Sequence, residues 1–120
     1  MARFTRRARL SKPGDFDTAF ERGRRIQERH LTAIVVANAL GHPRLGLAIA
    51  RKSVALATQR NRIKRVIRES FRMHQHELGA LDIVILARPG CAHAGAAGLN
   101  RSLERLWSRI AALSASSSSA

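Results

Sequence analysis

The sequence is poor in the side chains that cross-link small proteins or hold metals in them. It contains a single cysteine, Cys91, in 120 residues. One thiol excludes an intramolecular disulfide, leaves no set of cysteines for a zinc site and suits a reducing compartment. We therefore expect a cytoplasmic domain that is held together by its own hydrophobic core.

Long apolar runs and acidic side chains are also scarce. No apolar segment approaches the roughly 18 residues of a membrane span, and the N-terminus has no secretory apolar core. Eight Asp and Glu face 22 Lys and Arg, and all but three of these cations are arginine, giving a formal net charge of +14. This surplus predicts a polyanionic partner, and the planar donor fork of arginine favours nucleic acid.

Groups that could carry catalysis do not converge in the sequence. The five histidines are scattered, the carboxylates form no metal-binding motif, and no phosphate-binding glycine loop is present. Cys91 has only His93, in a predicted loop, as a neighbouring base. We predict no catalytic residue, no metal site and no cofactor bound by the protein alone.

The first part of the chain reads as a basic arm followed by a short helix. Residues 1–10 are rich in arginine and free of acids, which favours an RNA-facing arm, with an organellar transit peptide as the alternative. Pro13 near the first helical position, two aspartates in the first turn and Gly23 as terminator predict a helix of about ten residues. Its apolar stripe consists of Phe16, Ala19 and Phe20.

Three or four strands follow from the apolar segments. Residues 31–37 and 44–50 are separated by the turn signal Gly41-His42-Pro43, so we predict that they pair as an antiparallel hairpin. A further strand is expected around Ile26. The continuous apolar run at 81–88 is typical of a strand that is covered on both faces.

A helix predicted from Thr58 to His76 has two distinct faces. Its apolar positions follow the helical period and should be buried: Ile63, Val66, Ile67, Ser70 and Phe71. A different face carries Asn61, Lys64, Arg65, Arg68 and Arg72. Glu69 is placed to pair with Arg65 four residues earlier. One side is expected to pack while the other presents a cationic surface that follows a phosphate backbone.

These elements give an α+β fold with a small central sheet of about four strands and three helices, in the order α-β-β-β-α-β-α. The last helix presents one apolar face, formed by Leu99, Leu103, Leu106, Trp107, Ile110 and Leu113. We divide the chain into the basic arm at 1–10, a single RNA-binding domain at 11–113 and a disordered Ser-rich tail at 114–120.

The segment Arg60-Asn61-Arg62-Ile63-Lys64-Arg65 resembles the RNR signature of the bacterial ribonuclease P protein subunit. The resemblance extends over about residues 8–111, and includes segments 46–52, 68–72, 75–78 and 82–87, the two phenylalanines of the first helix, and Trp107. It implies a left-handed β-α-β crossover, against the usual right-handed rule. It also implies a protein cofactor of a ribozyme whose RNA holds the active site and the catalytic Mg²⁺, and which removes the 5′ leader of precursor tRNA.

The resemblance assigns roles to particular residues. Contacts to the catalytic RNA are implied for Arg51, Lys52, Arg60, Asn61, Arg62, Lys64, Arg65, Arg68 and Arg72. Phe16 and Phe20 become candidates for a cleft that holds the leader, where an aromatic face stacks on a base. For Phe16 a cleft role and core packing both stay open, whereas core packing is favoured for Phe20. The sequence has no tyrosine and no aromatic residue at 31–36, where some relatives carry one.

The implied partners are therefore the catalytic RNA and precursor tRNA, with no membrane and no required protein partner. Two other interpretations remain. A ribosomal-type RNA-binding protein or RNA chaperone would share the charge, and a basic amphipathic helix could lie on an anionic membrane if its apolar stripe were not used by the fold.

Overall fold

The structure is a computed structural model that describes residues 8–10 and 12–118, with side chains described up to residue 113. Its helices and strands follow the predicted order. They are α1 (Pro13–Arg22), β1 (Arg24–Gln27), β2 (Leu31–Ala37), β3 (Arg44–Ala48), α2 (Ala57–His74), β4 (Leu81–Ala87) and α3 (Gly95–Ser118), with 3-10 turns at Gln75–Glu77 and Cys91–His93. The α+β class with a four-stranded mixed sheet and three helices is confirmed.

The strand order is β1-β2-β4-β3, so the predicted hairpin between β2 and β3 is wrong. β4 lies between them, antiparallel to β2 and parallel to β3. Adjacent strands are about 4.8 Å apart, so skipping one strand requires a span of about 10 Å, which the loop at residues 38–43 easily covers. The most apolar strand gains a partner on each side, as its continuous apolar run predicts.

The segment from β3 through α2 to the parallel strand β4 is a β-α-β unit, as predicted. The expected strand around Ile26 is β1, which pairs antiparallel to β2 at the opposite edge of the sheet. The left-handed sense of the crossover stays a prediction from the resemblance.

The two faces of the sheet are covered differently. Helices α2 and α3 cover one face, called here the closed face, where alternate strand residues such as Ala33, Ile83 and Ile85 are fully buried together with Ile63, Ile67 and Trp107. The short helix α1 crosses the other face, called here the open face. There the buried residues are Leu10, Ala19, Ile34 and Val84, whereas Phe16, Val36, Ala48 and Leu86 stay partly exposed.

Helix ends agree closely with the sequence signals. Helix α1 begins at Pro13 and ends at Arg22, as expected from Pro13 and Gly23. Helix α2 ends at His74, two residues before the predicted end, because the chain tightens into the 3-10 turn before Gly79, which has a positive φ of 76°.

Both predicted ends of the domain need correction. Ala8 and Leu10 are buried, and the backbone N–H of Leu10 donates to the carbonyl of Leu45 at 2.9 Å, so residues 8–10 extend the sheet beside β3. Residues 1–7 of the predicted arm and Ser11 lie outside the described residues.

The tail also differs from the expectation of disorder, because α3 continues to Ser118. A formed helix adds residues at little cost, since nucleation has already been achieved. The last two residues of the predicted tail lie outside the described part.

Candidate nucleic-acid interface

Helix α2 is fixed to the domain by its apolar stripe. Ile63, Ile67 and Phe71 have no solvent exposure, and Val66 is partly buried, as the sequence predicts. Ser70 belongs to the same stripe because its Oγ accepts a 2.8 Å hydrogen bond from the indole N–H of Trp107 on α3. The helix is thus held in one orientation, and its other side faces solvent.

The solvent side of α2 carries one predicted polar contact and four predicted cations, and we call these five residues the cationic ridge: Asn61, Arg62, Lys64, Arg65 and Arg68. All are exposed except Lys64, which is half-buried. Within the described residues, no hydrogen bond or ion pair ties the side chain of Arg62, Lys64, Arg65 or Arg68 to another protein group. Their donors are therefore available to an external anion.

Arg60 and Arg72 differ from the rest of the predicted set. Nη1 of Arg60 donates to the carbonyls of Val54 and Ala55, at 3.0 and 2.8 Å, which fastens the loop before α2. Arg72 forms an ion pair with Glu69 and lies 3.3 Å from the sulfur of Met73. These two arginines serve contacts inside the protein, so their RNA contacts stay predictions.

The expected pairing of Glu69 with Arg65 is wrong, because Glu69 pairs with Arg72 instead. The Arg72 guanidinium lowers the pKa of the Glu69 carboxyl, and Glu69 in turn raises the pKa of Arg72. This pairing turns the carboxylate toward Arg72 and leaves Arg65 without that partner.

Arg51 and Lys52 are exposed in the turn that follows β3. The turn is closed by hydrogen bonds from the N–H groups of Ser53 and Val54 to the carbonyl of Ala50, at 3.1 and 3.0 Å. The pair therefore lies shortly before α2, where its charge adds to that of the cationic ridge.

A concave notch lies between the cationic ridge and the first described residues. It has a volume of about 500 Å³ and is lined by Arg9, Asn61, Arg65, Arg68, Glu69 and Arg72. Arg9 reaches this position because its backbone forms a bridge with Leu45 at the sheet edge. From the sequence, Arg9 was expected in a basic arm, and no local pattern indicated that it lies beside α2. A concave surface with several arginines and one carboxylate focuses a positive potential on a bound phosphate.

The second predicted site lies on the open face, beneath α1. The ring of Phe16 is packed directly over Gly46, where a Cβ atom would lie 2.8 Å from the ring. A small cavity of about 170 Å³ beside this contact is lined by Phe16, Leu10, Leu45, Gly46 and Leu47, together with Arg9, Lys64 and Arg68. The aromatic cleft and the cationic ridge are therefore continuous.

Phe16 and Phe20 have different environments. Phe16 is partly buried against the open-face cluster, so it both packs and borders the cleft. Phe20 is 42% exposed, so the favoured interpretation of core packing is wrong for this residue. Ala19 takes the inward position on α1, and Phe20 lies one helical step farther round.

An ion-pair network holds α1 in place over the open face. Arg44 on β3 donates to both carboxylate oxygens of Asp82 on β4, at 2.8 and 2.7 Å, and lies 3.5 Å from Asp15 on α1. Asn38 also donates to Asp82 at 2.8 Å. The hydrogen bond with Asp82 raises the pKa of Arg44. No sequence pattern predicted this network, because Arg44 and Asp82 lie on different strands.

The chemistry of Cys91 fits a structural role. The side chain is fully buried, and burial raises the pKa of its thiol, although the nearby Arg62 acts in the opposite direction. A protonated thiol is a poor nucleophile. In the part of the chain that the structure describes, no three His, Cys, Asp or Glu side chains are grouped to hold a metal, and no helix is long and apolar enough to cross a membrane.

Comparisons with known proteins agree on one family. The family model described as Ribonuclease P matches residues 4–111. The chain is 45% identical over 106 residues to the ribonuclease P protein component of Escherichia coli O157:H7, covering 88% of this chain and 89% of that protein. The same identity and coverage hold for the ribonuclease P protein component of Salmonella paratyphi A.

Solved structures give the same result at the level of the fold. The RNase P protein of Staphylococcus aureus superposes with a TM-score of 0.77 at 31% identity, covering 82% of this chain and 90% of that one. The RNase P protein of Thermotoga maritima, solved in complex with 1-(4-fluorophenyl)-2-thiourea, superposes with a TM-score of 0.78 at 30% identity, covering 85% and 99%.

Proposed function

This chain belongs to the ribonuclease P protein family, and we propose that it is the protein subunit of a ribonuclease P ribozyme. In this proposal the chain binds the catalytic RNA and the 5′ leader of precursor tRNA, and supports endonucleolytic removal of the leader. The phosphodiester is hydrolysed at an active site on the RNA, which also holds the catalytic Mg²⁺. We place the complex in the cytoplasm.

The observation that carries this proposal is the two-sided character of α2. The apolar side of the helix is sealed in the closed face, while Arg62, Arg65 and Arg68 are exposed without partners among the described residues. Guanidinium groups on a rigid helix can bind successive phosphates and release counterions without the entropic cost of ordering a flexible segment. The same burial argues against a membrane-surface helix, because the apolar stripe is already used by the core.

We assign the two regions different tasks. The cationic ridge and the notch with Arg9 contact phosphates of the catalytic RNA, with Arg51 and Lys52 adding charge nearby. The cleft beside Phe16 receives the single-stranded leader, with Phe20 exposed on the same helix as a further stacking surface. Because Lys64 and Arg68 border both regions, a leader in the cleft would lie beside the RNA held on the ridge.

Cleavage of precursor tRNA tests the main proposal. The cognate catalytic RNA is assayed at low Mg²⁺ with and without the chain, where we expect the protein to stimulate cleavage at the mature 5′ end. A ribosomal-type RNA-binding protein or chaperone would bind RNA without this specific stimulation, so absence of stimulation would contradict the proposal.

Leader length tests the assignment of the cleft. The reconstituted complex should bind a precursor with a long leader more tightly than mature tRNA, and Phe16→Ala should reduce this difference because a stacking surface is removed. Stacking of one base on an aromatic side chain contributes about 1–3 kcal/mol. Met73→Ala is the matched control, because Met73 is a large exposed apolar side chain on α2, away from the cleft.

A further inference from the structure

A second concentration of arginines lies where α3 approaches the edge strand β1. Arg101, Arg105 and Arg109 recur every four residues and therefore share one side of α3. Nη1 of Arg109 donates to the backbone carbonyl of Gln27, at the end of β1, at 2.8 Å. This contact directs that side of α3 toward β1, which carries Arg24 and Arg25 as exposed residues.

Two sets of contacts and one electrostatic effect join these arginines into one surface. Arg109 and Arg105 approach the carboxylate of Glu28 at 2.7 and 4.0 Å. Arg109 also lines a groove of about 300 Å³ with Arg24 and Arg25. Near Arg101, at the opposite end of this arginine row from Arg109, burial and the charges of Arg29 and Arg101 together lower the pKa of the imidazole of His30. We call this set the β1–α3 arginine surface: Arg24, Arg25, Arg29, Arg101, Arg105 and Arg109.

Most of the charge on this surface is not neutralised by other side chains that the structure describes. The carboxylate in direct contact with it is that of Glu28, which is only 13% exposed and holds Arg105 and Arg109 beside β1. Six arginines against this one glutamate leave a clear positive surplus. The side chains of Arg24, Arg25, Arg29 and Arg101 form no hydrogen bond or ion pair with another described residue.

The β1–α3 arginine surface is separate from the cationic ridge. In the sheet order β1-β2-β4-β3, α3 contacts β1 and β2, whereas α2 contacts β3 and Arg9 lies beyond β3. Three strand spacings make the two sheet edges about 14 Å apart before any side chain is added. The two surfaces flank the helical layer and cannot bind the same phosphate.

Two simpler explanations cover only part of the pattern. Charges on an edge strand prevent edge-to-edge pairing with another sheet, which accounts for Arg24 and Arg25. That role does not extend to Arg101, Arg105 and Arg109, which lie on a helix. Isolated solvated charges are the other explanation, but they do not require six cations of one type to be brought together from two elements and a loop.

The chemistry of the surface favours RNA over a protein or a lipid. Its cations are all arginine, whose donor fork matches phosphate oxygens. The large apolar side chains that are exposed in the described residues, Phe20, Leu40, Leu56 and Met73, lie elsewhere. Ile26, Ala112 and Leu113 also line the groove, so a partner gains some apolar contact there. The six arginines supply the charged hydrogen bonds, which is the pattern of a phosphate backbone.

We propose that the β1–α3 arginine surface is a second RNA-binding surface, which contacts phosphates of an RNA segment other than the one bound by the cationic ridge. The proposal deepens the proposed function and rests on it, since the RNA concerned is the catalytic RNA. One protein molecule would then bridge two segments of the folded RNA across its helical layer.

The test compares two variants of the full chain for binding to the catalytic RNA over a range of salt concentrations. The first is Arg24→Gln/Arg25→Gln/Arg101→Gln, which keeps the ion pairs of Glu28 intact. The second is Arg65→Gln/Arg68→Gln on the cationic ridge. Hydroxyl-radical cleavage of the RNA then identifies the backbone segments that each protein protects. Arg24→Lys/Arg25→Lys/Arg101→Lys is the matched control, because it retains the charge.

We expect the triple Gln variant to fold normally and to bind the RNA about tenfold more weakly, or worse, at 0.1 M salt. The dependence of log K on log salt should become shallower by about two to three units, close to one unit for each arginine that no longer neutralises a phosphate. The triple variant and the ridge variant should lose protection of different RNA segments. The triple Lys variant should retain most of the wild-type slope.

Three results would distinguish a failure of this inference from a failure of the proposed function. If the triple Gln variant binds with the wild-type slope, the β1–α3 arginines are solvated surface charge only, and this inference is overturned while the proposed function stands. The same holds if both variants lose protection of the same segment. If the unmodified chain neither binds the catalytic RNA nor stimulates its cleavage, the proposed function fails and takes this inference with it.

Discussion

The two faces of the sheet differ in how completely they are buried, and the more exposed face borders the candidate leader cleft. The closed face is covered by α2 and α3, and its core side chains, such as Ile63, Ile67 and Trp107, have almost no solvent exposure. Among the described residues, the ten-residue helix α1 is the one helix that crosses the open face, and it leaves Phe16 and Leu86 partly exposed. Alternation along the same strands supplies both faces, so the difference arises from the helices that cover them.

The faces also differ in what holds the covering helix in place. Apolar burial fixes α2 and α3, whereas α1 depends on a small apolar cluster together with the network of Arg44, Asp82 and Asp15. A face of this second kind can border a binding cleft, because less of it is committed to the core. Substitutions inside the closed face should therefore mainly reduce stability, whereas substitutions on the open face should reduce stability less and also weaken binding of the leader.

The largest effect is expected on the closed face, from Ile67→Asp. Ile67 is fully buried, so the new carboxylate would have no partner and no water. The free energy of unfolding should fall by about 4 kcal/mol or more, which is a large share of the roughly 5–15 kcal/mol that stabilises a native domain. Circular dichroism during urea unfolding measures the loss.

The neighbouring substitution Arg68→Asp is the control for Ile67→Asp. It introduces the same side chain one residue later on the exposed side of α2, where the cost should stay below about 0.5 kcal/mol. Equal midpoints of urea unfolding for the two variants would show that the assignment of the buried and exposed sides of α2 is wrong.

The next effect is expected on the open face, from Asp82→Ala. This change removes the two carboxylate oxygens that accept the short hydrogen bonds of Arg44, whose side chain is only 19% exposed, and leaves Arg44 with the longer contact to Asp15. Breaking a buried ion pair at one partner costs about 3 kcal/mol. Urea unfolding should show this loss, together with weaker binding of the leader if α1 shifts.

Asp15→Ala provides the comparison for Asp82→Ala. Asp15 approaches Arg44 at 3.5 Å and is more exposed, so its removal should cost less than about 1 kcal/mol. A larger loss from Asp15→Ala than from Asp82→Ala would mean that the contact with α1, and not the contact between strands, dominates the network.

A smaller effect on the open face is expected from Gly46→Ala, which tests the close contact between Phe16 and the sheet. The added methyl group would lie 2.8 Å from the ring of Phe16, so the ring must move. We expect a loss of about 1–2 kcal/mol of stability and weaker binding of a long-leader precursor. Calorimetry of the protein and filter binding of the reconstituted complex measure the two effects.

Gly14→Ala serves as the control, because a Cβ atom at this helical position meets no atom within 4 Å. It should leave leader binding unchanged and raise stability by about 0.5 kcal/mol. If Gly46→Ala also leaves leader binding unchanged and raises stability, the position of the Phe16 ring does not depend on its close contact with the sheet.

The smallest effect on folding is expected from Arg65→Ala/Arg68→Ala on the cationic ridge. Neither side chain has a protein partner among the described residues, so stability should change by less than about 0.5 kcal/mol. Affinity for the catalytic RNA should fall, and the salt dependence should become shallower by about one unit for each phosphate that is no longer neutralised. Filter binding over a salt series measures both changes.

Arg60→Ala on the same helix should behave in the opposite way. The substitution leaves the carbonyls of Val54 and Ala55 without their donor, which costs about 1 kcal/mol of stability, with a smaller change in the salt slope. An unchanged slope in the Arg65 and Arg68 double variant would place the main RNA contact elsewhere on the protein.

Local patterns predicted the helices well, because their signals lie within one turn or one face. Pro13 and Gly23 indicated both ends of α1, and the apolar spacing in α2 indicated its buried stripe, including Ser70. Charge and missing motifs also pointed to RNA binding without a catalytic group on the protein. The individual uses of Arg60, Arg72 and Phe20 were not predictable, since each depends on atoms supplied by neighbouring structure.

The sequence by itself determined where the helices lie, which side of α2 is apolar and that the protein carries a large positive charge, because these properties depend on composition or on residues a few positions apart. Only the tertiary structure decided that β4 separates β2 from β3, that Arg44 meets Asp82, and that Arg24 and Arg109 join one surface. Pairing of this kind depends on which distant segments bury each other. The sequence of an apolar strand that is buried on both faces does not indicate which strands pair with it.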